Sequence, residues 1–257
     1  MRFICLGKRD FVFLALCFAL GVLLISQVSY GVRAVSGKAA GERKLPIYKV
    51  ETDEKKIAIT FDAAWGNSDV DELLSVLKKH NAKATFFFTG QWVSKFPDDV
   101  LKIYADGHEC ANHSDSHAHI SSMSAEQLLE DIKACNGKIA AVTGKAPTLY
   151  RGPYGEYNNT LLTQVESLKM HAVQWDIDSR DWQKKSVEYM VKSVTKNAKN
   201  GSIVLFHCDC ENTPEALDKI LEILSREGYS FVTASELIYK ENYTIKHDGT
   251  QCKIKNN

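Results

Sequence analysis

Ile57-Ala58-Ile59-Thr60-Phe61-Asp62 decides how the rest of the chain is read. Its β-branched and aromatic residues suit a strand, and the run ends on a carboxylate. Asp69 to His80 then sets Val70, Leu73, Leu74 and Leu77 at helical spacing, and Ala84 to Phe88 is strand-like again. Strand, helix, strand is the signature of a parallel sheet with helical crossovers.

The same alternation continues downstream. Asp98 to Asp106 reads as a helix stopped at Gly107, and Glu109 to Ala111 as a short strand. Ser124 opens a helix to about Val142, with Gln127 three residues on completing a capping box. Strands are expected at Thr148–Tyr150, Ala172–Trp175, Ser202–Phe206 and Ser230–Val232, and helices at Thr160–Leu168, Val187–Ala198 and Thr213–Glu227. About seven or eight such units predict an α/β fold, a closed or nearly closed β/α barrel, with its chemistry at the C-terminal ends of the strands.

The chain has 257 residues, and its 32 basic side chains balance its 32 acidic ones. That balance argues against a nucleic-acid partner, which would draw a basic excess. Phe11 to Val28 is apolar and uncharged, long enough to cross a bilayer, and follows a basic stretch 1–10. It reads as a signal anchor or signal peptide, exporting the rest to the cell-wall side, with membrane association through this segment; Val32-Arg33-Ala34 offers a cleavage site. Residues 29–54 read as a linker, 55–238 as the folded domain and 239–257 as a peripheral tail. The seven cysteines form no CxxC…CxxC pattern, which argues against a structural zinc module.

Polar clusters stand at the ends of the expected strands. Asp62 can act as a general base. Asn112-His113-Ser114-Asp115-Ser116-His117 places two histidines four apart, which on a helical turn would share one face and make a partial zinc site. Arg151, in Tyr150-Arg151-Gly152-Pro153-Tyr154-Gly155, can pair with a carboxylate, and a backbone N–H near Tyr154 can meet a developing oxyanion. Trp175 to Trp182 mixes tryptophan with acids, a composition suited to a sugar-facing wall, and Asp181 is positioned to orient a histidine. His207, after Leu205-Phe206, can be a general acid.

Taken in order, Thr60-Phe61-Asp62, His113-Ser114-x-x-His117, Arg151-Gly152-Pro153-Tyr154, Asp178-x-x-Asp181-Trp182 and Leu205-Phe206-His207 resemble the motifs of the NodB-like polysaccharide deacetylases, carbohydrate esterase family 4. The resemblance implies a distorted (β/α)7 barrel that removes acetyl groups from N-acetylated cell-wall polysaccharide with a divalent metal, zinc first and cobalt second. It implies Asp62 as base, Arg151 holding it, His207 as acid and Asp181 orienting His207. His113 and His117 would hold the metal, and Tyr154, Trp182 and Leu205 would touch substrate.

One position departs from the pattern. The family reads Thr-Phe-Asp-Asp-Gly, the second Asp being a metal ligand, where this chain has Ala63. Asp115 or Asp62 is left as a substitute, and Ala63→Asp is expected to restore metal affinity. Together with Trp65-Gly66, the change resembles the PdaB-like sporulation branch. The alternative reading is a deacetylase fold that binds cell-wall glycan with weak turnover or none.

Overall fold

The computed structural model describes residues 43–254. The run 11–28, and with it the expected signal segment, lies outside them; among the described residues no helix is long and apolar enough to cross a membrane.

The strands are β1 (Lys49–Val50), β2 (Lys56–Ala63), β3 (Thr85–Phe88), β4 (Glu109–Asn112), β5 (Leu149–Tyr150) and β6 (His171–Ala172). They continue as β7 (Ile177–Asp178), β8 (Ile203–His207), β9 (Ser230–Val232), β10 (Tyr243–Ile245) and β11 (Thr250–Lys253). The α-helices are α1 (Val70–Lys79), α2 (Gly90–Lys95), α3 (Pro97–Ala105), α4 (Ala125–Thr143), α5 (Asn159–Ser167), α6 (Val187–Asn197), α7 (Thr213–Arg226) and α8 (Ala234–Leu237). Of these, α2, α8, β1, β7, β10 and β11 escape the sequence pattern, because two to six residues are too short to show a period. The capping box at Ser124 and Gln127 and the left-handed Gly107 stand as read.

Eight strands form one parallel sheet in the order β6-β5-β4-β3-β2-β8-β7, with β9 paired to the start of β2. It is a curled half-barrel: β6 and β7 end the hydrogen-bonded path and do not pair with each other. Side chains alternate across it. Ile57, Ile59, Phe61 and Ala63 of β2 join the helix-side core with Phe86, Phe88, Phe206 and Leu217. Ala58, Phe87, Ala111 and Ile203 fill the concave side, and Asp62 shares the face of Ala58 by the same period of two. Both faces are covered, so β2 reads as a nearly continuous apolar run.

Register then sets the site. Asp62 lies opposite His207 on β8, Phe88 opposite Asn112, and Asn112 opposite Tyr150. Asp62, His113, Arg151 and His207, far apart in sequence, therefore emerge side by side at one end of the sheet.

The described parts of the stretches read as linker and peripheral tail, 43–54 and 239–254, are built into the fold. β1 pairs with β11, and β11 with β10, in a second, three-stranded sheet. Gln251 is fully buried and exchanges hydrogen bonds with the backbone of Tyr239 through Nε2 and Oε1. The backbone of Ile47 bonds to Ala172 and Gln174, and so extends the main sheet beyond β6. The compact unit accordingly begins at Lys44.

Candidate active site

Arg151 is fully buried, and every direction of its guanidinium is used. Nη1 donates to Asp62 Oδ1 at 2.7 Å, Nε to the Val173 carbonyl at 3.2 Å and Nη2 to the Gln174 carbonyl at 3.1 Å. The pair is a single contact rather than a bidentate fork, because the second amino group serves the chain leaving β6. The Phe87 ring lies 4.0 Å from the guanidinium carbon. Burial would raise the Asp62 carboxyl, but the opposing influence of His113, Arg151 and His207, of which Arg151 alone is a permanent charge, holds it below the ordinary aspartate range.

His207 is the opposite case. Its Nδ1 meets Asp181 Oδ1 at 2.8 Å, and its backbone N–H donates to Asp181 Oδ2 at 2.7 Å. Trp182 N–H and the Thr213 hydroxyl also donate to Asp181, fixing the carboxylate. Burial would lower the imidazole, yet the hydrogen bond and charge of Asp181, helped by Asp62 and Asp178, raise it above its ordinary value.

The histidine stretch is not helical. Ser114 and His117 adopt left-handed φ of 73° and 55°, so the i, i+4 argument fails, although the two rings still lie 5.1 Å apart. Side chains from around the loop, not a helix, hold it. Asn112 Oδ1 accepts from Ser114 N–H at 2.7 Å, and Ser114 Oγ from His117 N–H at 3.1 Å. Asp131 on α4 accepts from the N–H groups of Asp115 (2.9 Å) and Ser116 (3.1 Å) and from the Ser116 hydroxyl (2.7 Å). Asp131→Ala is expected to cost on the order of 1–3 kcal/mol and to speed hydrogen exchange at Asp115 and Ser116. Unchanged exchange at both amides would refute this role.

His113 Nδ1 donates to the Arg151 carbonyl at 2.9 Å, which turns its Nε2 lone pair toward Asp62 Oδ2, 3.5 Å away. Two acceptors thus face each other. Burial keeps both imidazoles neutral, lowering His113 and taking His117 down to about 4.

Asp62, His113, His117 and His207 line a pocket of about 490 Å³ together with Ala64, Trp65, Trp175 and Asp178, while Arg151 and Asp181 stand behind its wall. Tyr154, Trp182 and Leu205 line it as well. Ala64 and Trp65 as pocket residues, and Asp131 and His119 as braces, carry no motif or spacing signal in the sequence. His119 stacks on Tyr154 at 4.2 Å and meets Glu156 at 2.7 Å. A larger cleft of about 600 Å³, between His108, Lys145 and Glu236, opens at the other end of the strands and gathers none of the motif residues.

Residues 49–173 match the polysaccharide deacetylase family. A peptidoglycan-N-acetylglucosamine deacetylase of Bacillus cereus (strain ATCC 14579) is 38% identical over 196 residues, which cover 74% of this chain and 92% of that protein. The chain belongs to the polysaccharide deacetylase family. The family's peptidoglycan-N-acetylmuramic acid deacetylase PdaC of Bacillus subtilis (strain 168) is 34% identical over 73% of this chain, which spans only 40% of PdaC. A carbohydrate esterase family 4 pseudoenzyme from Bacillus anthracis superposes with a TM-score of 0.73 at 28% identity, over 76% of this chain and 69% of that one. A mutant of that pseudoenzyme with restored enzymatic activity superposes equally well, TM-score 0.73 at 30% identity, over 76% and 72% of the two chains.

The family's metal finds an incomplete donor set in this domain. Two neutral imidazoles suit a divalent cation. Catalytic zinc takes three protein ligands, and among the described residues no group of three His, Cys, Asp or Glu side chains is placed to hold a metal. Ala63 faces the helix-side core, not the pocket. Asp115, read as a substitute, pairs instead with Lys138 at 2.7 Å and is absent from the pocket lining. The residues present therefore do not fit a full catalytic zinc site. Cys208 and Cys210 supply no thiolate, since burial raises both, Cys210 to about 12.

Proposed function

We propose that the chain is an N-deacetylase that hydrolyses the acetamide of N-acetylated sugars in cell-wall polysaccharide. The observation that carries this reading is the pairing of Asp62 with His207 across β2 and β8, Arg151 favouring the ionised form of one and Asp181 the protonated form of the other. Groups pushed apart in this way supply a base and an acid at one pocket at neutral pH. Asp62 takes a proton from water as its oxygen attacks the acetyl carbon. The backbone N–H of Tyr154 supports the oxyanion. His207 then protonates the sugar nitrogen, the C–N bond breaks and acetate leaves. Acetate release from peptidoglycan or N-acetylglucosamine oligomers, with zinc or cobalt added, tests this; a folded protein that releases none defeats it.

Activity is expected to rise with pH through a group titrating below the ordinary aspartate range, and to fall through one above the ordinary histidine value of 6.5. Asp181→Asn is expected to move the alkaline limb to lower pH, and an unmoved limb would assign it to another group. The linkage has the same sign. The stability that His207 draws from Asp181 is present below its unfolded value and is lost as pH rises through the raised folded one.

A second reading, a glycan-binding protein without efficient turnover, is favoured by the missing third metal ligand and by the likeness to a pseudoenzyme. It predicts oligosaccharide binding with no acetate release. Export to the cell-wall side, as the run 11–28 suggests, and a role in sporulation, suggested by Ala63 with Trp65-Gly66, complete the proposal.

A further inference from the structure

We propose that Trp65 is a substrate-contacting, specificity-determining residue, its indole stacking on the apolar face of the sugar ring that bears the acetamide. This rests on the glycan reading above and names what selects the sugar. Trp65 is 55% exposed although its ring lines the pocket, with centroids 5.7 Å from His117 and 6.2 Å from His207. An indole left in water at a pocket mouth is a large unspent apolar surface.

The backbone beneath that ring is fixed from two sides. Trp92 Nε1 donates to the Gly66 carbonyl at 2.9 Å. On the other side Gly66 packs against Asp209, so closely that a Cβ at Gly66 would sit 2.2 Å from Asp209 Oδ2. Asp209 is itself anchored, accepting from the Ser68 hydroxyl at 2.7 Å and donating its N–H to Asp69 Oδ1 at 2.8 Å. A ring on a rigid backbone loses little freedom when a ligand covers it. A tryptophan serving only to fill space would be buried, as Trp92 is at 1% exposure.

Location supplies the chemistry. An acetamide placed between Asp62 and His207 leaves its pyranose ring against the pocket wall, where the indole stands beside His207 and His117. The C–H bonds of a pyranose face suit the negative face of an indole. Tyr154 and Trp182, 57% and 53% exposed, line the same pocket, so the ring would be held among aromatics.

Calorimetric titration of the full chain with tetra-N-acetylchitotetraose tests the proposal. Trp65→Ala is expected to weaken binding at least about tenfold, and Trp65→Phe to stay within about threefold of the unaltered protein. Thermal unfolding of both variants should match the unaltered protein, since the ring is mostly exposed. In kinetics the loss in Trp65→Ala should fall on KM more than kcat for the oligosaccharide, and should vanish for acetamide, which has no sugar ring. If the unaltered protein binds the oligosaccharide and Trp65→Ala binds within about twofold of it, the stacking role is overturned while the glycan reading stands. If the unaltered protein binds no such oligosaccharide, both are overturned.

Discussion

Replacing Arg151 by methionine is expected to destabilise the protein by about 3–5 kcal/mol at neutral pH, the usual cost of stranding a buried charge, and to abolish acetate release. Methionine keeps the apolar stem over Phe87 and removes the cation that holds Asp62 ionised. His113 and His207 remain near the carboxylate, but neither is a permanent charge. Burial is already the largest single influence on Asp62, and with Arg151 gone no permanent charge opposes it, so the carboxyl is expected to move above the ordinary range. The pH dependence then inverts. In the unaltered protein the contribution of Asp62 is present above its unfolded value and is lost as pH falls through the depressed folded one. In the variant the same group favours the folded state at low pH and opposes it as pH rises. Urea unfolding at pH 5 and pH 8 separates the two. Adding Asp62→Asn to Arg151→Met should recover about half of the lost stability, because a neutral amide needs no counter-charge. A single variant as stable as the parent, with unchanged pH dependence, would show that the pair is not what holds the carboxylate charged.

The parallel α/β sheet was legible because the central strands β2, β3 and β8 are buried on both faces and the longer helices, α1, α3, α4, α6 and α7, show their period. Register followed from that. Once β2, β4, β5 and β8 lie parallel and in order, Asp62, His113, Arg151 and His207 converge with no further information. Where the reading failed, the cause was local. Helical spacing could not reveal that Ser114 and His117 turn left-handed, because the side chains that impose the turn, Asn112 and Asp131, act from outside the period. The tail was read as peripheral from its lysines and asparagines, yet Thr250, Gln251 and Cys252 of β11 are all buried. Trp65 entered the sequence reading only through its place after the altered motif, since exposure at a pocket mouth is a property of the fold and not of the residue.

Ala64→Asp, not Ala63→Asp, is expected to raise the affinity for zinc or cobalt, on the order of tenfold or more, by adding a third ligand to His113 and His117. Motif matching points at Ala63, but side-chain direction points elsewhere. Ala63 is the last residue of β2, fully buried, and alternation puts its methyl on the helix side among Phe61, Phe88 and Trp92. A carboxylate there would meet aromatic rings and no cation. Ala63→Asp should therefore destabilise the fold by roughly 2–4 kcal/mol while leaving metal affinity near that of the parent. Ala64, one residue on, lies past the strand and lines the pocket with both histidines. A carboxylate at that position stays partly solvated, so its stability cost should be small, within about 1 kcal/mol. Cobalt titration followed by visible absorption, with urea unfolding on the same samples, reads both quantities at once. Gain of metal by Ala63→Asp without loss of stability would mean that the end of β2 opens to turn residue 63 inward, and that the pocket wall is more plastic than its packing indicates.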